Sequence, residues 1–241
     1  MKKVLKIVVG VIIFLTLPSL LLFGFVYFKY NEKLPEGIES PKADALANNM
    51  LEVLDYEAYK NTDYIEWTFK RRHHFKWNKA DNSCQVLWKD FKVNLDLSTP
   101  LQSEVFKNNV KIEGSEKQEY IDQATKYFNN DSFWLVAPYK VFDSGVTRQV
   151  VTLENAKKAL LVTYNSGGST PGDSYLWHFD DSGKPTHFQM WVSILPIDGL
   201  EASWSDWMTT ETGAMLPTFH KMLVLGIELE NIKTAPSESS N

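Results

Sequence analysis

The sequence predicts an α+β fold: an N-terminal transmembrane helix, then a curled, half-open antiparallel sheet of barrel-like form with two covering helices. Three observations predict it. Residues Ile7 to Phe28, IVVGVIIFLTLPSLLLFGFVYF, form 22 residues without a charge. Beyond them, short runs of alternating apolar and polar residues recur between turn signals, the period of half-buried strands. Only two stretches carry the 3.6-residue period of helices, and few helices among many strands indicate antiparallel sheet and not a doubly wound fold.

The apolar run is long enough to cross a hydrocarbon layer of roughly 30 Å. Lys2, Lys3 and Lys6 precede it, and Lys29 and Lys33 follow. The simplest topology leaves the three leading lysines in the cytoplasm and sends the rest outward, as a single-pass signal anchor with an extracytoplasmic, periplasm-type domain. A cleaved signal peptide is the competing reading. Against it, the run exceeds the usual apolar region of about 7–15 residues, and FKYNEKLPEG offers no small-x-small cleavage site.

Of 25 Lys and Arg, five flank the run, whereas Glu32 alone of 30 Asp and Glu does. The outer part is therefore distinctly acidic, which argues against nucleic acid or anionic lipid headgroups as a general partner. The single cysteine, Cys84, excludes an internal disulfide and any cysteine-rich zinc site. All eight tryptophans lie beyond residue 66, so apolar area for a core is plentiful.

The organisation expected is an anchor over residues 1–30, a short polar stalk over 31–40, a domain over 41–233 and a disordered tail over 234–241. Ser40 and Pro41 read as N-cap and first helical residue, with Leu46, Met50, Val53 and Leu54 at helical spacing after them. Ile65, Trp67 and Phe69 then alternate as a strand. Phe75 and Trp77 alternate before the turn at Asp81-Asn82, and Val86 and Trp88 after it; that loop puts Trp77 opposite Val86 and Phe75 opposite Trp88. Phe91, Val93 and Leu95 continue the meander.

Residues Ser115 to Phe128 form the second helix, with Ser115 and Gln118 as a capping box. Strands resume at Ser132–Val136, Thr147–Leu153, Ala159–Tyr164, Ser174–Phe179 and Thr186–Ile194. Weaker ones lie near Leu200–Trp207 and Leu223–Ile232.

The stretch SGGSTPGDSYLW, Ser166 to Trp177, invites a phosphate-loop or nucleophile reading. It carries no lysine after its glycines and leads into a strand, so the nucleotide reading fails. Its serine stands one place too early for a nucleophile elbow. What remains is a nine-residue connection, longer than a hairpin needs, whose Gly167, Gly168, Thr170 and Asp173 are candidates for the rim of a ligand mouth. Tyr175, Trp177, Trp191 and Trp134 either fill the core or line an apolar cavity behind that rim.

If Ser182-Gly183 is the loop of the next hairpin, His178 lies opposite His187. Tyr175, Trp177, Phe179, Phe188 and Met190 then share one face, with Leu176, His178, His187, Gln189 and Trp191 on the other. Two imidazoles across a strand pair are close enough to share a metal, though no third ligand of known position accompanies them. His73 and His74 in KRRHHFK point to opposite faces and read as a solvated strand end. His220, in LPTFHKM, has no partner that the sequence places. No cofactor is proposed, and no spacing marks an acid and a base.

An N-terminal membrane segment, one amphipathic helix, a meander containing FKWNKADNSCQVLW, a mid-chain helix and a second meander with ALLVTY, SYLWHF and HFQMWVSI make up a layout over residues 41–233. That layout resembles the lipoprotein-carrier superfamily of bacterial envelope proteins, the LolA/LolB-like fold. GGxTPGDxYxW, here Gly167 to Trp177, also resembles a stretch in uncharacterised membrane-anchored bacterial proteins.

The resemblance implies a half-open barrel around an apolar cavity that binds a lipid, a lipidated protein or another hydrophobic ligand. A retained anchor departs from the soluble carriers and favours a receptor or accessory role. The alternatives are a protein-interaction or structural module with a solid core, and a metal-dependent hydrolase using His178 and His187.

Overall fold

The structure is a computed structural model and describes residues 2–236. Helix α1 (Lys2–Tyr30) contains the apolar run and has no buried residue. It is the one helix among the described residues long and apolar enough to cross a membrane, a property that signal sequences share.

Helix α2 (Pro41–Val53) follows, then α3 (Tyr56–Lys60). The break between them falls at Asp55, whose φ of 55° stops the first helix and whose carboxylate accepts a hydrogen bond from the Ala58 amide to start the next. Ser40 caps α2 by position, but its side chain makes no capping bond.

Fourteen strands form two antiparallel sheets that do not close into a barrel. In chain order β1 (Thr62–Phe69), β2 (His73–Asn78), β3 (Ser83–Trp88), β4 (Phe91–Asp96), β5 (Glu104–Lys107) and β6 (Val110–Ile112) make a meander. Helix α4 (Glu116–Val136) comes next. Then β7 (Val146–Thr152), β8 (Lys158–Tyr164), β9 (Ser174–Phe179), β10 (Pro185–Trp191) and β11 (Leu200–Ser203) form a second meander. Strands β12 (Ser205–Thr209), β13 (Met215–Met222) and β14 (Leu225–Pro236) return to the first.

The larger sheet runs β12-β13-β14-β1-β2-β3-β4-β5-β6, and the smaller β11-β10-β9-β8-β7. The α+β class with antiparallel sheet is as read from the sequence, and the sheet is built as two. Only Trp204 separates β11 from β12, so the chain passes from sheet to sheet at one buried indole. Hydrogen bonds hold that seam: the Trp204 amide donates to the Thr186 carbonyl and His220 Nδ1 to the Ser203 carbonyl, at 2.7 Å each.

The alternation read from the sequence sets the faces. Ile65, Trp67 and Phe69 of β1 are buried. The β2–β3 register is shifted from the expected one: Phe75 faces Val86 and Trp77 faces Cys84. The turn spans four residues, residues 79–82, because Asn78 binds Asp81 through both side chain and backbone and Asn82 takes a φ of 48°. A slip of two preserves the faces, as a period of two requires.

Strand Ser132–Val136 does not exist; those residues continue α4, whose buried positions Ile121, Ala124, Phe128, Asp131, Ser132, Leu135 and Val136 follow helical spacing. The capping box is absent too, since Ser115 is already helical and its side chain makes no capping bond. Tyr120, Tyr127 and Phe128 of α4 lock onto Phe91, Trp88 and Trp77 of the large sheet, with ring centroids 4.5, 5.5 and 5.3 Å apart. Toward the small sheet, Phe133 lies 4.4 Å from Tyr175 and Trp134 lies 5.7 Å from Phe188. One continuous core therefore joins both sheets and the helices.

Both ends of the expected domain differ from the sequence reading. Residues 234–236, assigned to the tail, belong to β14, where Thr234 pairs with Ile65 and Ala235 with Tyr64. The rest of the tail, residues 237–241, lies outside the described residues. The stalk is a strap and not a free tether. The Glu32 amide donates to the Asp198 carbonyl, the Asp198 amide to Asn31 Oδ1, and Ile38 bridges to Val150 on the edge strand β7.

Candidate functional site

The candidate site is the end of the small sheet where β7, β9 and β11 begin and β8 and β10 end. Three connections gather there: residues 141–145, 165–173 and 192–199. The middle one holds the Gly-Gly-Ser-Thr-Pro-Gly-Asp stretch.

Asp173 organises these loops. Its side chain is buried, with 5% of the residue exposed. One carboxylate oxygen accepts from the Thr170 hydroxyl, closing the turn, and the other accepts from the Ser193 amide at 3.0 Å, joining two loops. The Asn165 amide donates to the Gly145 carbonyl at 2.8 Å and ties in the third. Asn129 of α4 holds Ser169 at 3.1 Å.

Gly167 and Gly168 take φ of 78° and 63°, the left-handed region open to glycine, and a Cβ at either would meet nothing within 4 Å. They form an exposed tip. Thr170 and Asp173 shape the loop, and nothing about them marks a reacting group.

Three of the four sequence-predicted aromatics, Tyr175, Trp177 and Trp134, gather around Phe188 at 5.9, 6.4 and 5.7 Å, and Trp191 does not join them. Tyr175 and Trp177 point into the main core, where Trp177 is fully buried against Trp204 and Phe188 at 5.5 and 6.4 Å. Trp134 is on α4, 5.2 Å from His220. Trp191 is on the opposite face, and its Nε1 donates to the Glu32 carbonyl at 2.8 Å, so it braces the strap. Two hollows stand out among the described residues, both open at the surface: about 250 Å³ beside Lys70 and Arg71, and about 290 Å³ beside Leu46, Asn49 and Asp181.

From His187 to Trp191 the β9–β10 register is as read from the sequence; at the turn it shifts by one, with Pro185 facing Phe179. His178 faces His187, and their rings stack at 4.2 Å with 8° between planes. The turn is longer than two residues, because the Asp180 carboxylate gathers the Ser182 amide, the Ser182 hydroxyl and the Lys184 amide; these bonds, that to the Ser182 hydroxyl foremost, hold its pKa below the usual range. Burial and then the neighbouring imidazole lower His178 to about 4, so it is neutral near pH 7. Among the described residues no group of three or more His, Cys, Asp or Glu side chains is placed to hold a metal.

Two histidine environments escaped the sequence. His73 is no solvated strand end: its Nδ1 lies 2.7 Å from Oδ2 of Asp131, which is 1% exposed, and its ring stacks on Tyr127 at 3.8 Å. His74 points the other way, to Glu66 and Thr68. His220 is wholly buried on β13, and burial lowers it to about 4. No local signal links Asp131 to His73 across 58 residues.

No protein-family model matches this chain, and no curated protein does. Among solved structures, the chain has a distant likeness to a DUF1329 family protein from Desulfovibrio piger ATCC 29098. That match has 8% sequence identity and a TM-score of 0.40, covering 80% of this chain and 92% of that one. A likeness of that size carries no argument about activity, and the carrier-superfamily resemblance stays one of layout.

Proposed function

We propose that this chain is a single-pass membrane protein whose α+β module lies on the extracytoplasmic side and acts by binding a partner at its surface. The observation that carries this reading is aromatic packing in the core: Trp67 stacks on Phe75 at 4.6 Å in the large sheet, and Phe188 lies tilted against Trp204 at 5.0 Å in the small one.

The retained anchor has support in the strap. Val26 and Tyr30 of α1 pack on the core, and Asn31, Glu32 and Ile38 are bonded into the small sheet. A cleaved product would leave part of its own fold behind. Three leading lysines, Lys2, Lys3 and Lys6, against Lys29 and Lys33 after the run, support an outward-facing module.

A second reading keeps the layout resemblance in its favour: the module holds a lipid, a lipidated protein or another hydrophobic ligand within the curled sheets. It needs a space of acyl-chain size. The test is lipid mass spectrometry on protein extracted in mild detergent and then exchanged through lipid-free detergent. Surface binding predicts no lipid at one copy per chain; a single lipid class held at that ratio through exchange would make the enclosed-ligand reading the right one.

A further inference from the structure

We infer that the loop end of the small sheet is seated on the membrane that carries α1, with Ile194 entering the lipid interface and the Gly167-Gly168 tip beside it. The inference rests on the anchor reading above and names the surface that faces lipid.

The geometry starts from the helix. In α1 only Gly24, Val26 and Tyr30 are half-buried, so the helix leaves the module after its last turns and does not lie along its side. Val26 lies two residues inside the charge-free run and yet packs on the module's core. At about 1.5 Å per residue, module atoms therefore reach about 3 Å below the end of the apolar run.

Asn31, three residues past Phe28 and thus about 5 Å beyond the run, binds the Asp198 amide. Headgroup layers add roughly 5–8 Å on each side of the hydrocarbon core. The 192–199 connection is consequently held at headgroup depth by its own hydrogen bonds. Asp173, through the Ser193 amide, brings the 165–173 connection to the same end.

The composition of these connections fits that depth. Residues 165–172, NSGGSTPG, and 192–197, VSILPI, carry no charged side chain in a chain that is 23% charged; the charges at this end are the buried Asp173 and the exposed Asp198 and Asp143. Ile194 is 64% exposed, while its neighbours Val192 and Ile197 are buried in the core and fix the loop. An exposed isoleucine on a rigid loop beside a span has the bilayer interface as its apolar neighbour. The basic Lys29 and Lys33 flank the contact.

The test uses the full chain in vesicles of phosphatidylethanolamine and phosphatidylglycerol, with spin labels at Ile194→Cys, Ser193→Cys, Ser182→Cys and Leu17→Cys. Cys84, 1% exposed, is buried in the core, and the unsubstituted chain gives the background. Ser182 is the control, exposed at the opposite end of six-residue β9, about 20 Å away. Collisions with oxygen report lipid, and collisions with a nickel chelate report water.

The expected result is lipid-like exposure at Leu17, lipid-like or interfacial exposure at Ile194 and Ser193, and water-like exposure at Ser182. Leu17 in lipid with Ile194 and Ser193 as wet as Ser182 overturns the seating and leaves the anchor standing. Lipid-like exposure at Ser182 as well overturns the end-on arrangement. A wet Leu17 removes both.

Discussion

His220 couples the seam of the two sheets to pH. It is wholly buried between Trp134 and Trp204 and donates to the Ser203 carbonyl, and its pKa stands at about 4 against an ordinary 6.5. Between those values the unfolded chain binds more protons than the folded one, so acid favours unfolding. Stability should therefore be full above pH 6.5 and fall as pH drops toward 4. His178, lowered in the same direction but more exposed, adds a smaller share. Urea unfolding at several pH values should show this slope, and His220→Leu should flatten it while costing about 1–3 kcal/mol at pH 7, because the Ser203 carbonyl loses its donor. An unchanged slope in the variant would assign the pH dependence elsewhere. At Trp177, fully buried in the same core, truncation to Ala should cost about 3–5 kcal/mol, read as a drop in the urea midpoint.

At the scale of elements, strap and strands behave differently from what alternation alone suggests. Gly199 takes a φ of 78°, and a Cβ there would stand 2.8 Å from the Glu32 Cβ. Gly199→Ala should therefore loosen the strap, at a cost of about 1 kcal/mol or more, and speed amide exchange at Glu32 and Ile38 without touching β8 or β9. Equal exchange in variant and parent would mean that the strap is held by something other than this close approach. The strands themselves were legible where one face is buried and the other wetter, as in β1 and β3. Ser132–Val136 was misread because a five-residue apolar run has no period of its own, and α4 spends it on Ser132, Leu135 and Val136. Strands β5, β6 and β13 were missed. The first two are only four and three residues long; the third contains Pro217, which lies opposite Trp207, a pairing that only the fold supplies. The site was legible as a loop and not as a place, since the Asp173–Ser193 bond that locates it joins residues 20 apart.

For the whole molecule, the decisive property is that a single core serves both sheets, with α4 between Trp77 and Phe188 as its common wall. The module should therefore unfold in one transition, with tryptophan fluorescence and far-ultraviolet circular dichroism moving together; two separated transitions would show the sheets to be independent. Cys84, 1% exposed and pushed upward in pKa by burial, should react with thiol reagents only across that same transition. The strap extends this unity to the anchor, because β7, β10 and the 192–199 connection all bind residues that follow α1 directly. The most direct measurement of that claim is the intact mass of the protein extracted from membranes. The expected result is a species that keeps residues 2–30. A mature species lacking α1, released in soluble form with its small sheet folded, would contradict it.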